Sequence, residues 1–120
     1  MKILIIEDSH MVQMVVKFNL SRMGCQVVTA NDGKEGMEKI VEEKPDLIVS
    51  DLMMPFVNGM EIIHFVRVEL RLETPIIILS AIEQEESIIQ ALELGADDYV
   101  TKPFSPTELL LRIRKIVKKR

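Results

Sequence analysis

Glu7 and Asp8 follow the apolar run Ile3 to Ile6, Asp51 follows the run that begins at Leu47, Ser80 closes the run from Ile76, and Lys102 ends a weaker run from Asp98. If those runs lie side by side, three carboxylates, a hydroxyl and an ammonium converge at one edge. Like charges about 4 Å apart repel by roughly 4 kcal/mol at an effective dielectric of about 20, and one lysine does not offset three acids. The shortfall asks for a divalent cation. Hard oxygen donors with no His or Cys cluster favour Mg²⁺ over zinc, and Mg²⁺ is usually held by one or two carboxylates together with a phosphate. The expected guest is therefore a phosphoryl group. Asp51 reads as the nucleophile, Lys102 and the metal as the groups that neutralise the transferring oxygens, and Ser80 as a hydrogen-bond donor to one of them.

The elements that must position these side chains alternate. Ile3–Ile6, Gln26–Ala30, Leu47–Ser50, Ile76–Ser80 and, more weakly, Asp98–Thr101 have the length and composition of strands. Helical periods separate them: 9–23 closed by Gly24, 33–43 capped by Asn31 or Asp32, Gly59 to about Leu70, about 84–94 ended by Gly95, and a last helix. That last helix carries Ser105 as N-cap, Pro106 at its first position and Glu108 three residues after the cap, the pattern of a capping box. Runs such as Ile76-Ile77-Ile78-Leu79 do not alternate with polar residues, so those strands are expected to be covered on both faces. Five βα units predict an α/β fold, a five-stranded parallel, doubly wound sheet of flavodoxin-like type with helices on both faces. Ligands of such sheets bind beyond the carboxyl ends of the strands, which is where the five polar residues fall.

At 120 residues and 13.7 kDa, with 48% hydrophobic content and a mean hydropathy of +0.18, the chain is expected to form one domain over 1–120 and is too apolar for disorder. Its apolar runs are far shorter than the roughly 18 residues that span a bilayer, and no export signal opens it, so a cytoplasmic location is expected. The single Cys25 cannot form an internal disulfide, in agreement with a reducing compartment. Residues 1–111 hold nine basic and 19 acidic side chains, whereas six cations fall in the last nine positions. Those cations interleave with Leu109, Leu110, Ile113, Ile116 and Val117 as the outer face of an amphipathic helix. With a pI near 5.2, direct nucleic-acid binding is not expected.

Together these residues resemble the receiver domain of two-component response regulators from end to end. Glu7-Asp8 matches that family's acidic pair, Asp51-Leu-Met-Met-Pro55-Phe-Val-Asn-Gly59 its phosphoacceptor loop, Ser80-Ala81 its hydroxyl position, Tyr99 its switch aromatic, and Lys102-Pro103 its lysine and following proline. The resemblance implies a phosphorylation-dependent switch rather than a turnover enzyme. Asp51 would take phosphate from a sensor histidine kinase or phosphotransfer protein, with Mg²⁺ held by Glu7, Asp8, Asp51 and the Met53 carbonyl. It also implies a cis peptide before Pro103 and an output surface on the fourth helix, fifth strand and fifth helix. The segment from Lys102 to Arg114 is similar to the winged-helix transcription-regulator class, whose phosphorylated receivers form dimers. Asp97, Asp98, Glu108, Arg112 and Lys115 match charged positions of that dimer surface, while Ile88 stands where the class usually carries a basic partner for the position of Glu108. The chain ends at Arg120, where a winged-helix domain would follow after a linker. It is expected to act either on an attached or separate effector or as a stand-alone receiver or phosphorelay intermediate working by protein contact.

The first helix is more apolar than one buried face requires. Val12, Val15, Val16 and Met23 form one stripe, and Met11, Met14 and Phe18 lie well over 90° away. Met11, Met14, Val15 and Phe18 are therefore expected to receive the helical hairpin of the phosphodonor. Met53 and Ile82, two residues beyond Asp51 and Ser80, put apolar side chains where water would approach an acyl phosphate, so slow self-hydrolysis is expected. His10 and His64 have no ligand spacing with a partner. A flavin carrier would need a Ser-, Thr- and Gly-rich phosphate loop where Glu7-Asp8-Ser9-His10 stands, and an aspartyl phosphatase with two aspartates spaced by one residue would need an acid in place of Met53.

Overall fold

The structure, a computed structural model, describes residues 1–81 and 85–119. Five strands, β1 (Lys2–Ile6), β2 (Gln26–Ala30), β3 (Leu47–Asp51), β4 (Ile76–Ala81) and β5 (Asp98–Lys102), form one parallel sheet in the order β2-β1-β3-β4-β5. The helices are α1 (His10–Ser21), α2 (Gly33–Glu43), α3 (Gly59–His64), α4 (Glu85–Leu94) and α5 (Pro106–Lys119). This is the doubly wound, flavodoxin-like fold that the alternating pattern predicts. Among the described residues, no helix is long and apolar enough to cross a membrane.

The unbroken apolar runs are explained by two cores, one on each face of the sheet. Ile3, Ile5, Leu47, Val49, Ile77 and Leu79 pack against Val16 and Leu20 of α1 and Leu109 and Ile113 of α5. Their neighbours Leu4, Ile6, Ile48, Ile76 and Ile78 turn the other way, toward Ile40 of α2, Ile62 and Ile63 of α3 and Ala91 of α4. Each buried branched side chain contributes on the order of 1.5–3 kcal/mol by leaving water. Together these residues offset the cost of crowding carboxylates at one end of the sheet.

The boundaries differ from the sequence reading in informative places. β3, β4 and β5 extend by one residue each, so Asp51 and Lys102 are held within the ladder rather than on the loops beyond it, and Ser80 lies one residue inside the end of β4. α1 ends at Ser21, leaving Met23 outside the helix. Arg22 caps it, and Gly24 follows at a φ of 85° that suits a residue without Cβ. The helix after Gly59 is α-helical only to His64 and continues as a π-helical turn, Phe65–Glu69. Ser105 Oγ accepts the Glu108 N–H at 3.0 Å, as the last helix's start pattern requires. A capping box with both bonds lies at α3, where Asn58 and Glu61 bond each other's backbone N–H.

Candidate functional site

Strand register decides which side chains meet. β1 and β3 are neighbours, so Glu7, just past Ile6, lies beside Asp51, whose own register partner on β4 is Leu79. Ala81 pairs with Lys102, which puts Ser80 and the lysine at the same end of the sheet. Glu7, Asp8 and Asp51 each offer a carboxylate oxygen, and all three atoms lie within 4.8 Å of one another. Lys102 reaches across the strand ends: Nζ donates to Asp51 Oδ2 at 2.9 Å and to Glu7 Oε2 and Oε1 at 3.1 and 3.3 Å. The peptide between Lys102 and Pro103 is cis.

Electrostatics follows from that crowding. Glu7 is fully buried; burial, then the nearby Asp51 carboxylate, push its pKa from 4.5 up to about 7 against the opposing pull of Lys102 and the Ser9 N–H. Burial alone would lower the pKa of Lys102, but the bonds to Asp51 and Glu7 outweigh it, and the ammonium is held above its usual range. One firmly protonated lysine thus faces three acids, the most buried of which resists ionising. Oxygen donors in this number and spacing suit a hard divalent cation. Ser80 is fully buried, and its Oγ has no hydrogen-bond partner among the described residues, a costly state for a buried hydroxyl unless something else is to bond it.

The loop leaving Asp51 is pinned at both ends. Leu52 N donates to Leu79 O and Gly59 N to Leu52 O, each at 2.8 Å. A Cβ at Gly59 would lie 2.8 Å from the Asp51 carbonyl, and one at Gly33 would lie 2.2 Å from the Val57 carbonyl, so both glycines are there for close approach. Between these anchors, Met53 is exposed and Phe56 is 95% exposed. Val57 N donates to Pro55 O at 2.8 Å across Phe56, whose φ is 69°, so Phe56 centres a γ-turn of the rarer, strained hand. Phe56→Gly is expected to stabilise the fold by up to about 1 kcal/mol. Relief of roughly 1–2 kcal/mol of left-handed strain exceeds the ~0.4–1 kcal/mol that glycine returns to the unfolded chain. A urea midpoint that stays put or falls would contradict this.

The remaining residues singled out from sequence are placed as follows. Tyr99 is half-buried on β5 and packs against the core on the α2, α3 and α4 face. Met11, Met14 and Phe18 are 76%, 70% and 62% exposed, and Val15 is exposed with them rather than buried in the stripe of Val12 and Val16. The Arg22 guanidinium lies 5.6 Å from the Phe18 ring centre. Met11 and Val15 border a cleft of about 450 Å³ whose other wall is Lys102, Pro103, Phe104 and Pro106. Of the charged positions expected at the dimer surface, Asp97, Asp98, Glu108 and Arg112 are engaged within the chain. Asp97 Oδ2 accepts from Arg67 at 3.0 Å and from Ile76 N at 2.8 Å; Asp98 holds Arg112 at 3.0 Å; and Arg112 lies 3.8 Å from Glu108. Lys115 is exposed and Ile88 is buried. Ile82 lies outside the described residues. Sequence reasoning passed over Gln13, a polar residue buried on the inner face of α1, because one amide in an amphipathic period carries no signal of burial.

Comparison with known proteins extends over the same elements. The family model described as the response regulator receiver domain matches residues 3–114. The chain is 43% identical over 118 residues to the alkaline phosphatase synthesis transcriptional regulatory protein PhoP of Bacillus subtilis strain 168, covering 98% of this chain and 49% of that protein. It thus spans about half the length of that relative. Among solved structures it is similar to the receiver domain of Francisella response regulator 1452, with a TM-score of 0.90 at 36% identity over 98% of this chain and 97% of that one. It is also similar to the chemotaxis response regulator CheY4 of Vibrio cholerae, with a TM-score of 0.88 at 32% identity over 96% and 97%. Because the match runs from the first strand into the last helix and includes every residue at the crowded sheet edge, the chain belongs to the response regulator receiver domain family.

Proposed function

We propose that the chain, as one receiver unit over residues 1–120, is a cytoplasmic phosphorylation switch whose acceptor is Asp51. The observation that carries this reading is Lys102 Nζ bonded to both Asp51 and Glu7 beside a third carboxylate, with an unpartnered serine hydroxyl on the neighbouring strand. Glu7, Asp8 and Asp51, with the Met53 carbonyl, would hold Mg²⁺, which supplies neutralisation of charge on a phosphoryl oxygen. An Asp51 carboxylate oxygen attacks phosphorus in line with the imidazole nitrogen of a phosphohistidine. The O–P bond forms as the P–N bond breaks, and the imidazole leaves with the electron pair of that bond. Lys102 offers its ammonium to the transferred oxygens, and the Ser80 hydroxyl donates to one of them. Incubation with acetyl phosphate and Mg²⁺ is expected to add about 80 Da, and the same incubation with a chelator is not; equal labelling in both would contradict the metal's part.

Drawing Ser80 and Lys102 toward the new phosphoryl group biases β5 and its neighbours, with half-buried Tyr99 as the side chain that changes place. The output surface is α4, β5 and α5. The name of the PhoP relative supports transcriptional control through an effector. Asp98, Glu108 and Arg112 already bridge within one chain, so a phosphorylation-induced homodimer through Asp97, Asp98, Glu108, Arg112 and Lys115 requires those pairs to exchange partners.

The phosphodonor, a sensor histidine kinase or phosphotransfer protein, docks on Met11, Met14, Val15 and Phe18, which stand exposed on α1, with Met11 and Val15 bordering the cleft that ends at Lys102. The double variant Met14→Asp, Phe18→Asp changes only exposed side chains and is expected to fold normally. Transfer from the kinase falls roughly tenfold or more, as for loss of an apolar anchor, while labelling by acetyl phosphate is unchanged. Equal loss with both donors, or loss with neither, would refute the docking assignment.

A further inference from the structure

The buried face of α1 presents Gln13, Val16 and Leu20, and the first of these is the wrong type for a core position. Gln13 is 6% exposed, and an amide taken out of water costs stability unless its groups are bonded. Its nitrogen is bonded: Nε2 donates to the Glu7 carbonyl and to Asn31 Oδ1 at 3.0 Å, and lies 3.4 Å from the Ala30 carbonyl. All three neighbours are acceptors, which fixes the amide with its NH₂ toward the corner. Asn31 in turn is oriented by its own Nδ2, which donates to Glu35 at 3.4 Å. Glu7 N also donates to Ala30 O at 3.1 Å, so one amide closes the ends of β1 and β2 together.

The Glu7 carbonyl belongs to the peptide plane that joins Glu7 to Asp8. Fixing that plane sets the directions in which the two successive side chains leave the backbone. Three carboxylates within reach of one another repel, and the segment between β1 and α1 is the part of the site able to yield, because Asp51 is held in the ladder of β3. Ser9 braces the carboxylate end of this segment, with its N–H on Glu7 Oε1 at 3.1 Å. Gln13 braces the backbone end. We infer that Gln13 is a positioning residue for the cation site: its buried amide locks the Glu7–Asp8 peptide so that both acids face one metal ion. This inference rests on the reading of Glu7, Asp8 and Asp51 as the Mg²⁺ site.

The test is Mg²⁺ affinity measured by calorimetry on folded proteins well below their melting temperatures. Gln13→Met keeps the length and removes the donors. Val16→Ala damages the same buried face of α1 without touching the corner. Partners just outside a metal's own ligands typically change affinity 10–100-fold, so Gln13→Met is expected to bind Mg²⁺ about tenfold more weakly and Val16→Ala within about twofold of the parent. Parental affinity in Gln13→Met, or equal weakening in both variants, overturns the assignment while leaving the metal site intact. A parent that binds no Mg²⁺ overturns the site itself and the Gln13 inference with it. Should Gln13→Met not fold, the Gln13 side-chain NH₂ resonances of the parent decide. They are expected to shift on saturation with Mg²⁺, and unmoved resonances overturn the inference.

Discussion

Lys102→Met is expected to slow labelling by acetyl phosphate by ~10²–10³-fold, the usual cost of removing one preorganised charge partner of a transferred oxygen. The same change should leave Mg²⁺ bound at least as tightly, because it removes a cation that competes for Asp51 and Glu7 at 2.9 and 3.1 Å. The two readouts thus move in opposite directions, which general unfolding cannot imitate. Without the ammonium, Glu7 ionises less readily, so the affinity comparison belongs at about pH 8.5, where the parental Glu7 is charged. A variant that labels at the parental rate would remove Lys102 from the chemistry. One that binds Mg²⁺ much more weakly would mean that the lysine builds the site rather than charging it.

The second large effect is on pH dependence. With the pKa of Glu7 raised from 4.5 to about 7, the metal-free folded chain retains a proton that the unfolded chain gives up above pH 4.5. The native state binds more protons across that window, so this group's stabilising contribution is full below pH 4.5 and is lost as pH rises through about 7. Mg²⁺ must displace the same proton. Its apparent affinity is therefore expected to climb with pH up to about 7 and then level, and titrations at pH 6 in buffers of different ionisation enthalpy should report nearly one proton released per ion. Glu7→Gln is expected to abolish both trends. Metal uptake without proton release at pH 6 would contradict a neutral Glu7.

The elements that fill the two cores were legible because burial on both faces leaves an unmistakable trace, such as Ile76-Ile77-Ile78-Leu79. The placing of Glu7, Asp51, Ser80 and Lys102 was legible for the same reason: the ends of apolar runs mark the ends of strands. Two features set by backbone conformation were not. Phe56 sits at positive φ although nothing in its type favours that region, and the π-helical turn at Phe65–Glu69 continues a helical pattern without changing its composition. Gln13 carries no sign of burial until the ends of β1 and β2 supply carbonyls for it to bond. Val15 shares a stripe with Val12 and Val16 by helical angle, yet it is exposed with Met11 and Met14, as its place in the expected docking face requires.

The central claim is that phosphate arrives on one named carboxylate. The decisive measurement treats the parent and Asp51→Asn side by side with a radiolabelled phosphoryl donor and Mg²⁺, followed by peptide mapping after borohydride trapping of the acyl phosphate. The account predicts a single labelled peptide in the parent, converted at position 51, and none in the variant. Label elsewhere in the parent, or undiminished label in Asp51→Asn, would contradict it.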